Sequence, residues 1–152
     1  MRGANRASSR RRAAAGLCVL APLLCALPAA AADNADIYGR WSLTRLLDSA
    51  DIAAMPEREA RALVGTQVVI AQDRFVIDSR TCRHPSYERS VDDLPRSFRE
   101  QGHVSSANMG LPDPVTAIDA RCTHIYLKAP GRIVVQWDGY YYDAEKLKPI
   151  EK

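Results

Sequence analysis

Along residues 37–47, IYGRWSLTRLL, apolar and polar residues alternate, which predicts a first β-strand with Trp41, Leu43 and Arg45 on one face. The period then lengthens. Ala60, Leu63 and Val64 form the apolar stripe of a short helix, with Pro56 suited to its first turn, Glu57 and Arg61 spaced i,i+4, and Gly65 placed to stop it. Two further strands, TQVVI at 66–70 and RFVIDS at 74–79, flank the polar turn Ala71-Gln72-Asp73. Their β-branched alternation assigns Val68, Ile70, Phe75 and Ile77 to the core. Residues 122–128, 132–137 and 140–146 read as a three-stranded meander. Its turns, Ala129-Pro130-Gly131 and Asp138-Gly139, suit types II and I′, because glycine accepts the positive φ that each requires. Tyr140, Tyr141 and Tyr142 are consecutive, so alternation sends Tyr141 to the opposite face from its neighbours, one face core and the other surface. Trp41 and Trp137 are assigned to the core.

Between these β regions the pattern breaks down. Pro95, Gly102, Gly110, Pro112 and Pro114 interrupt any period, so residues 86–115 are predicted as one long loop with a helical turn around Arg96 to Glu100. Long loops in compact domains are lids, binding loops or disordered segments. The candidate binding residues are therefore Arg96, Arg99 and His103 within the loop, with Tyr87 at its start. Arginine offers a planar set of donors suited to carboxylates, and histidine can donate or accept near neutral pH.

The start of the chain has a different character. Arg2, Arg6, Arg10, Arg11 and Arg12 precede an apolar run, residues 13–30, and then the small residues Ala30, Ala31 and Ala32. This is the order of a cleaved secretory signal peptide over residues 1–32, with Ser9-Arg10-Arg11 leaving a twin-arginine route open. Residues 33–152 then form a single β-barrel domain, periplasmic or secreted, with no membrane span.

Removal of that segment changes the charge. The whole chain has 21 basic and 18 acidic residues; five arginines leave, so 16 against 18 gives a net charge of minus 2. The basic excess belongs to the targeting segment, which removes the main support for a nucleic-acid partner. Cys18 and Cys25 leave as well, and Cys82 and Cys122 remain. In an oxidising compartment two such thiols pair, so a Cys82–Cys122 disulfide is expected. The alternative is a zinc site, since Cys82 and His84, like Cys122 and His124, stand i,i+2 and share a strand face.

Enzymatic chemistry is not expected. The sequence has no G-x-S-x-G, no H-E-x-x-H and no glycine-rich phosphate loop, and its three histidines lack the spacing of a base with its orienting carboxylate. No cofactor motif is present.

Gly39-Arg40-Trp41, at the start of the first strand, resembles the G-x-W signature of the lipocalins. The helix ending in Leu63-Val64-Gly65 and the Cys82-x-x-Pro85-x-Tyr87 run are similar to small exported bacterial proteins of unassigned role. The resemblance implies a mainly β fold: a small antiparallel up-and-down barrel with one short helix after the first strand. It implies that Gly39 and Trp41 close one end, with Arg121 or Arg132 packed over the indole. The chain departs from the family in its shortness and in lacking a Thr-Asp-Tyr motif. A barrel of this length can be filled by its own side chains, leaving binding to the outside and the loops.

Three functions follow as expectations. The first is an exported, non-catalytic inhibitor or immunity protein that blocks a cell-wall hydrolase through loop 86–115. The second is a lipocalin-type carrier of a small apolar ligand. The third is a metal buffer using His84, His103 and His124.

Overall fold

The computed structural model describes residues 34–149, so the signal segment predicted over residues 1–32 lies outside them. Nine strands form one antiparallel sheet: β1 (Gly39–Ser49), β2 (Gln67–Ala71), β3 (Arg74–Ile77), β4 (Arg80–Arg83), β5 (Glu88–Asp92), β6 (Val115–Asp119), β7 (His124–Ala129), β8 (Arg132–Trp137) and β9 (Tyr140–Lys146). The spatial order is β4-β3-β2-β1-β9-β8-β7-β6-β5. Every neighbour in the chain is a neighbour in the sheet, except at the seam between β4 and β5. The result is a curled half-barrel rather than a closed ring.

Cross-strand register sets the two faces. Ile118, Ile125, Val135, Tyr142 and Leu46 lie opposite one another in turn and form one row of the inner face. Around them pack Trp41, Leu43, Val68, Ile70, Phe75 and Ile77, all but free of solvent contact. The four core positions expected from strands β2 and β3 are among them. Trp137 tilts against Phe75 with ring centroids 5.6 Å apart. The Trp41 indole donates to Ile37 O at 2.8 Å, and the ammonium over its ring, 5.3 Å from the centroid, belongs to Lys146 rather than to Arg121 or Arg132.

Over β6 to β9 the outer face is also covered. Ala117, Tyr126 and Val134 lie in register, and with Tyr141 they form a second core beneath Leu94, Phe98, Val104 and Met109. Those covering residues come from the segment read as a loop. Residues 86–115 in fact carry β5, a nine-residue helix α2 (Leu94–Gly102), a 3-10 turn (Ser106–Asn108) and the start of β6. The predicted surface face of the meander is therefore buried, and Ile133, Val134 and Val135 are buried in succession.

The helix expected after the first strand is a single six-residue turn and a half, α1 (Glu57–Ala62), with Arg61 bound to Glu57. The longest helix, α2, lies elsewhere, between β5 and β6. A bulge in β1 between Leu43 and Arg45 turns Arg45 out of the Trp41 face, toward Asp143. Asp143 is a buried carboxylate that accepts from Arg45 Nη2 at 2.9 Å and Lys128 Nζ at 2.5 Å, and the Lys128 side chain is itself only 10% exposed.

Cys82 on β4 and Cys122 in the β6–β7 turn form a disulfide. It ties the edge hairpin to the opposite half of the sheet. Closing a loop of 40 residues restricts the unfolded chain by about 4 kcal/mol. No helix among the described residues is long and apolar enough to cross a membrane.

Candidate interaction surface

Helix α2 starts where Asp93 can cap it: its carboxylate accepts from Arg96 N at 2.9 Å. Asp113 Oδ1 accepts from Leu94 N at 3.2 Å, fixing the same end. Pro95 in the first turn lacks only a donor that the helix leaves unpaired there. Leu94, Ser97, Phe98 and Gly102 face the sheet, and Arg96, Arg99 and Glu100 face water. Phe98 sits between Tyr126 and Tyr141, 4.7 and 5.2 Å from their ring centroids.

The other end of α2 closes tightly on the Tyr141 side chain. A Cβ on Gly102 would stand 2.4 Å from Tyr141 Oη, so only glycine lets the helix seat there. His103 takes the left-handed conformation that ends the helix, at φ 51°, and its N–H donates to Arg99 O at 3.2 Å. Val104 N donates to Phe98 O at 3.4 Å, which completes the stop.

A loop from β1 locks onto this helix end. Asp51 N donates to Gly102 O, Ala50 N to Gly139 O at 2.7 Å, and Ala54 N to Asp138 O at 2.9 Å. Gly139, at φ 88°, has no room for a side chain, because a Cβ would meet Ile52 O at 2.6 Å. At the tip of this pinned loop Ile52 is 87% exposed.

Residues on either side of Ile52 line separate clefts. Asp51, Pro95, Arg99, His103, Ser105 and Ser106 line one of about 540 Å³. Ala54, Met55, Glu59, Arg80, Trp137 and Asp138 line the other, of about 500 Å³. In the second, the Arg80 guanidinium lies over Trp137, 4.4 Å from the ring centroid, and pairs with Asp138.

Of the predicted binding residues, Arg99 and His103 share the first cleft. Arg96 is exposed one turn back on α2, outside its lining. Tyr87 is elsewhere and largely buried. Its hydroxyl donates toward Ala71 O and Arg74 O, 2.9 and 3.2 Å away, and its ring meets Tyr38 edge-on. Burial, with Tyr38 beside it, pushes the Tyr87 phenol up. It acts as a strut beneath the β2–β3 turn. Ile52 had no periodic signal in the sequence; an isolated apolar residue between Asp51 and Ala53 reads as noise until the loop around it is seen to be fixed.

No known protein family, curated protein or solved structure matches this chain. The surface must be read from its own chemistry. The alternative metal ligands do not gather: among the described residues no three His, Cys, Asp or Glu side chains stand close enough to hold an ion. What the surface offers is an apolar knob on a rigid loop, flanked by two arginine-bearing clefts.

Proposed function

We propose that this chain is an exported, lipocalin-like but non-catalytic binding protein that engages another extracytoplasmic protein with the surface around Ile52, Arg99 and His103, and Arg96 at its rim. The observation that carries the reading is Ile52, 87% exposed at the tip of a loop tied by backbone hydrogen bonds to both Gly102 and Gly139. A rigid loop binds without the entropy cost of ordering it. Arginine and histidine beside an apolar tip suit a cleft containing carboxylates, as in a cell-wall hydrolase, so the chain acts as an inhibitor or immunity protein. Export is supported by the basic-apolar-small order of residues 1–32 and by the Cys82–Cys122 disulfide. The carrier reading has less support, because Trp41, Leu43, Phe75, Ile77 and Tyr142 fill the inner face.

The test is inhibition. The purified protein is added to peptidoglycan digestion by a muramidase, an amidase and an endopeptidase in turn. Inhibition of one class is expected, weakened by about 30-fold (2 kcal/mol) in Ile52→Asp and in Arg99→Ala at unchanged melting temperature. Absence of inhibition in all three classes, or variants as potent as the parent, overturns the proposal.

A further inference from the structure

The hairpin of β3 and β4 has an outer face that the interaction surface does not use. Its register places Arg74 directly opposite Arg83 and Val76 opposite Thr81, while Phe75 and Cys82 point to the other side. Like charges facing each other across an antiparallel ladder are destabilising. Arg74 has a partner in Asp73, whose two carboxylate oxygens each lie 3.1 Å from Arg74 Nη1. Among the described residues Arg83 has no ion pair. The contrast with Arg80, three residues earlier on the same strand and held by Asp138 and Trp137, is direct.

The two arginines border a concavity of about 460 Å³ lined also by Asp73, Val76, Thr81 and His84. His84 closes its end. The residue takes a left-handed backbone conformation, φ 53°, and its N–H donates to Asp73 O at 2.8 Å, which fixes the chain where the imidazole lines the concavity. Two guanidinium groups, a threonine and a histidine thus border one concavity together with one carboxylate. The formal charge is plus 2 from Arg74 and Arg83 and minus 1 from Asp73, leaving plus 1 with His84 neutral.

We propose that this concavity is a binding site for a tetrahedral oxyanion, a phosphate or sulfate group. A planar carboxylate has only two oxygens for two arginine forks to share. A tetrahedral group presents separate oxygens to Arg74 and Arg83 and keeps one for Thr81 or His84. Binding also removes the repulsion between the paired arginines. The site lies on the sheet edge and is open to solvent, so the anion can be free or carried on a larger surface.

The experiment is a titration of the isotope-labelled protein with sodium phosphate and with sodium sulfate, followed by amide chemical shifts at constant ionic strength against sodium chloride. Saturable shifts are expected at Arg74, Thr81, Arg83 and His84. Arg83→Gln should weaken them by at least about tenfold while its melting temperature stays the same or rises, because the repulsion is relieved. Arg58→Gln, a charge change at an exposed arginine of α1, should stay within about twofold. Sedimentation with phosphatidylglycerol and with phosphatidylcholine vesicles separates the sources: pelleting with the former alone, lost in Arg83→Gln, identifies a headgroup, and shifts without pelleting identify a free anion. Either supports the site. Absent shifts, equal effects of the two variants, or a lower melting temperature in Arg83→Gln overturns it.

Discussion

Replacing Phe98 with alanine separates a structural helix from a mobile binding loop. Phe98 has no exposed surface and contacts both Tyr126 and Tyr141. A buried aromatic side chain withdraws about 200 Å² from water, and truncation to alanine returns roughly 130 Å² of it, which at about 25 cal/mol per Å² is about 3 kcal/mol. Loss of two aromatic contacts adds about 1 kcal/mol, and the cavity left under α2 brings the total to between 4 and 5 kcal/mol at roughly the upper end of such truncations. Urea denaturation followed by far-ultraviolet circular dichroism is the assay. With a slope of about 1.5 kcal/mol per molar, the midpoint should fall by about 3 M at unchanged slope. Arg96→Ala, on the exposed side of the same helix, should stay within about 0.5 kcal/mol. A loss below about 1 kcal/mol for Phe98→Ala would refute the reasoning, because α2 would then contribute little to covering the sheet.

Two further outcomes follow from buried polar groups. Asp143→Ala leaves Lys128 buried without its partner and should cost about 3 to 5 kcal/mol by denaturation, whereas Arg45→Ala, at the exposed end of the same network, should cost less than about 1 kcal/mol; equal losses would show that Lys128 is solvated. Burial pushes the phenols of Tyr141 and Tyr142 up to about 12, helped by Asp48 beside the first and by Tyr140 and Asp138 near the second. A phenol raised above its unfolded value of about 10 holds its full stabilisation below that pH and loses it as pH climbs toward the folded value. Stability should therefore fall between pH 10 and 12, with tyrosinate absorbance rising together with loss of structure; phenols that all ionise near pH 10 in a folded chain would contradict this.

The β hairpins were legible because their signals are local. Val68, Ile70, Phe75 and Ile77 alternate within two short runs, and Asp138-Gly139 fits a two-residue turn with both residues at positive φ. Strands β4 and β5 were not legible. RTCR and ERSVD are edge strands whose exposed, charged positions carry no apolar period. Helix α2 was read only as a turn around Arg96 to Glu100 for another reason: Pro95 and Gly102 look like breakers, yet proline sits in the first turn and glycine where the helix end closes on the Tyr141 hydroxyl. Tyr140 to Tyr142 were read as one buried and one open face, because the residues that cover Tyr141 lie about forty positions away. In the candidate site, Arg99 and His103 could be named from residue type and position, but Ile52 could not. Its place in the proposed surface rests on Gly102 and Gly139, which hold its loop from two other parts of the chain.

The sheet order places the last strand in the middle. β9 is fifth among nine, flanked by β1 on one side and β8 on the other, and Trp41 lies opposite Lys146. A chain that emerges amino end first therefore presents β1 to β4 as a meander whose inner edge waits for a strand not yet delivered. Until residues 140–146 arrive, Trp41 and Leu43 lack their partners on β9, and only the Cys82–Cys122 disulfide can join the two halves of the sheet. Non-local closure of this kind is slow relative to hairpin formation. A product cut short before β9 loses the keystone of the sheet rather than its fringe.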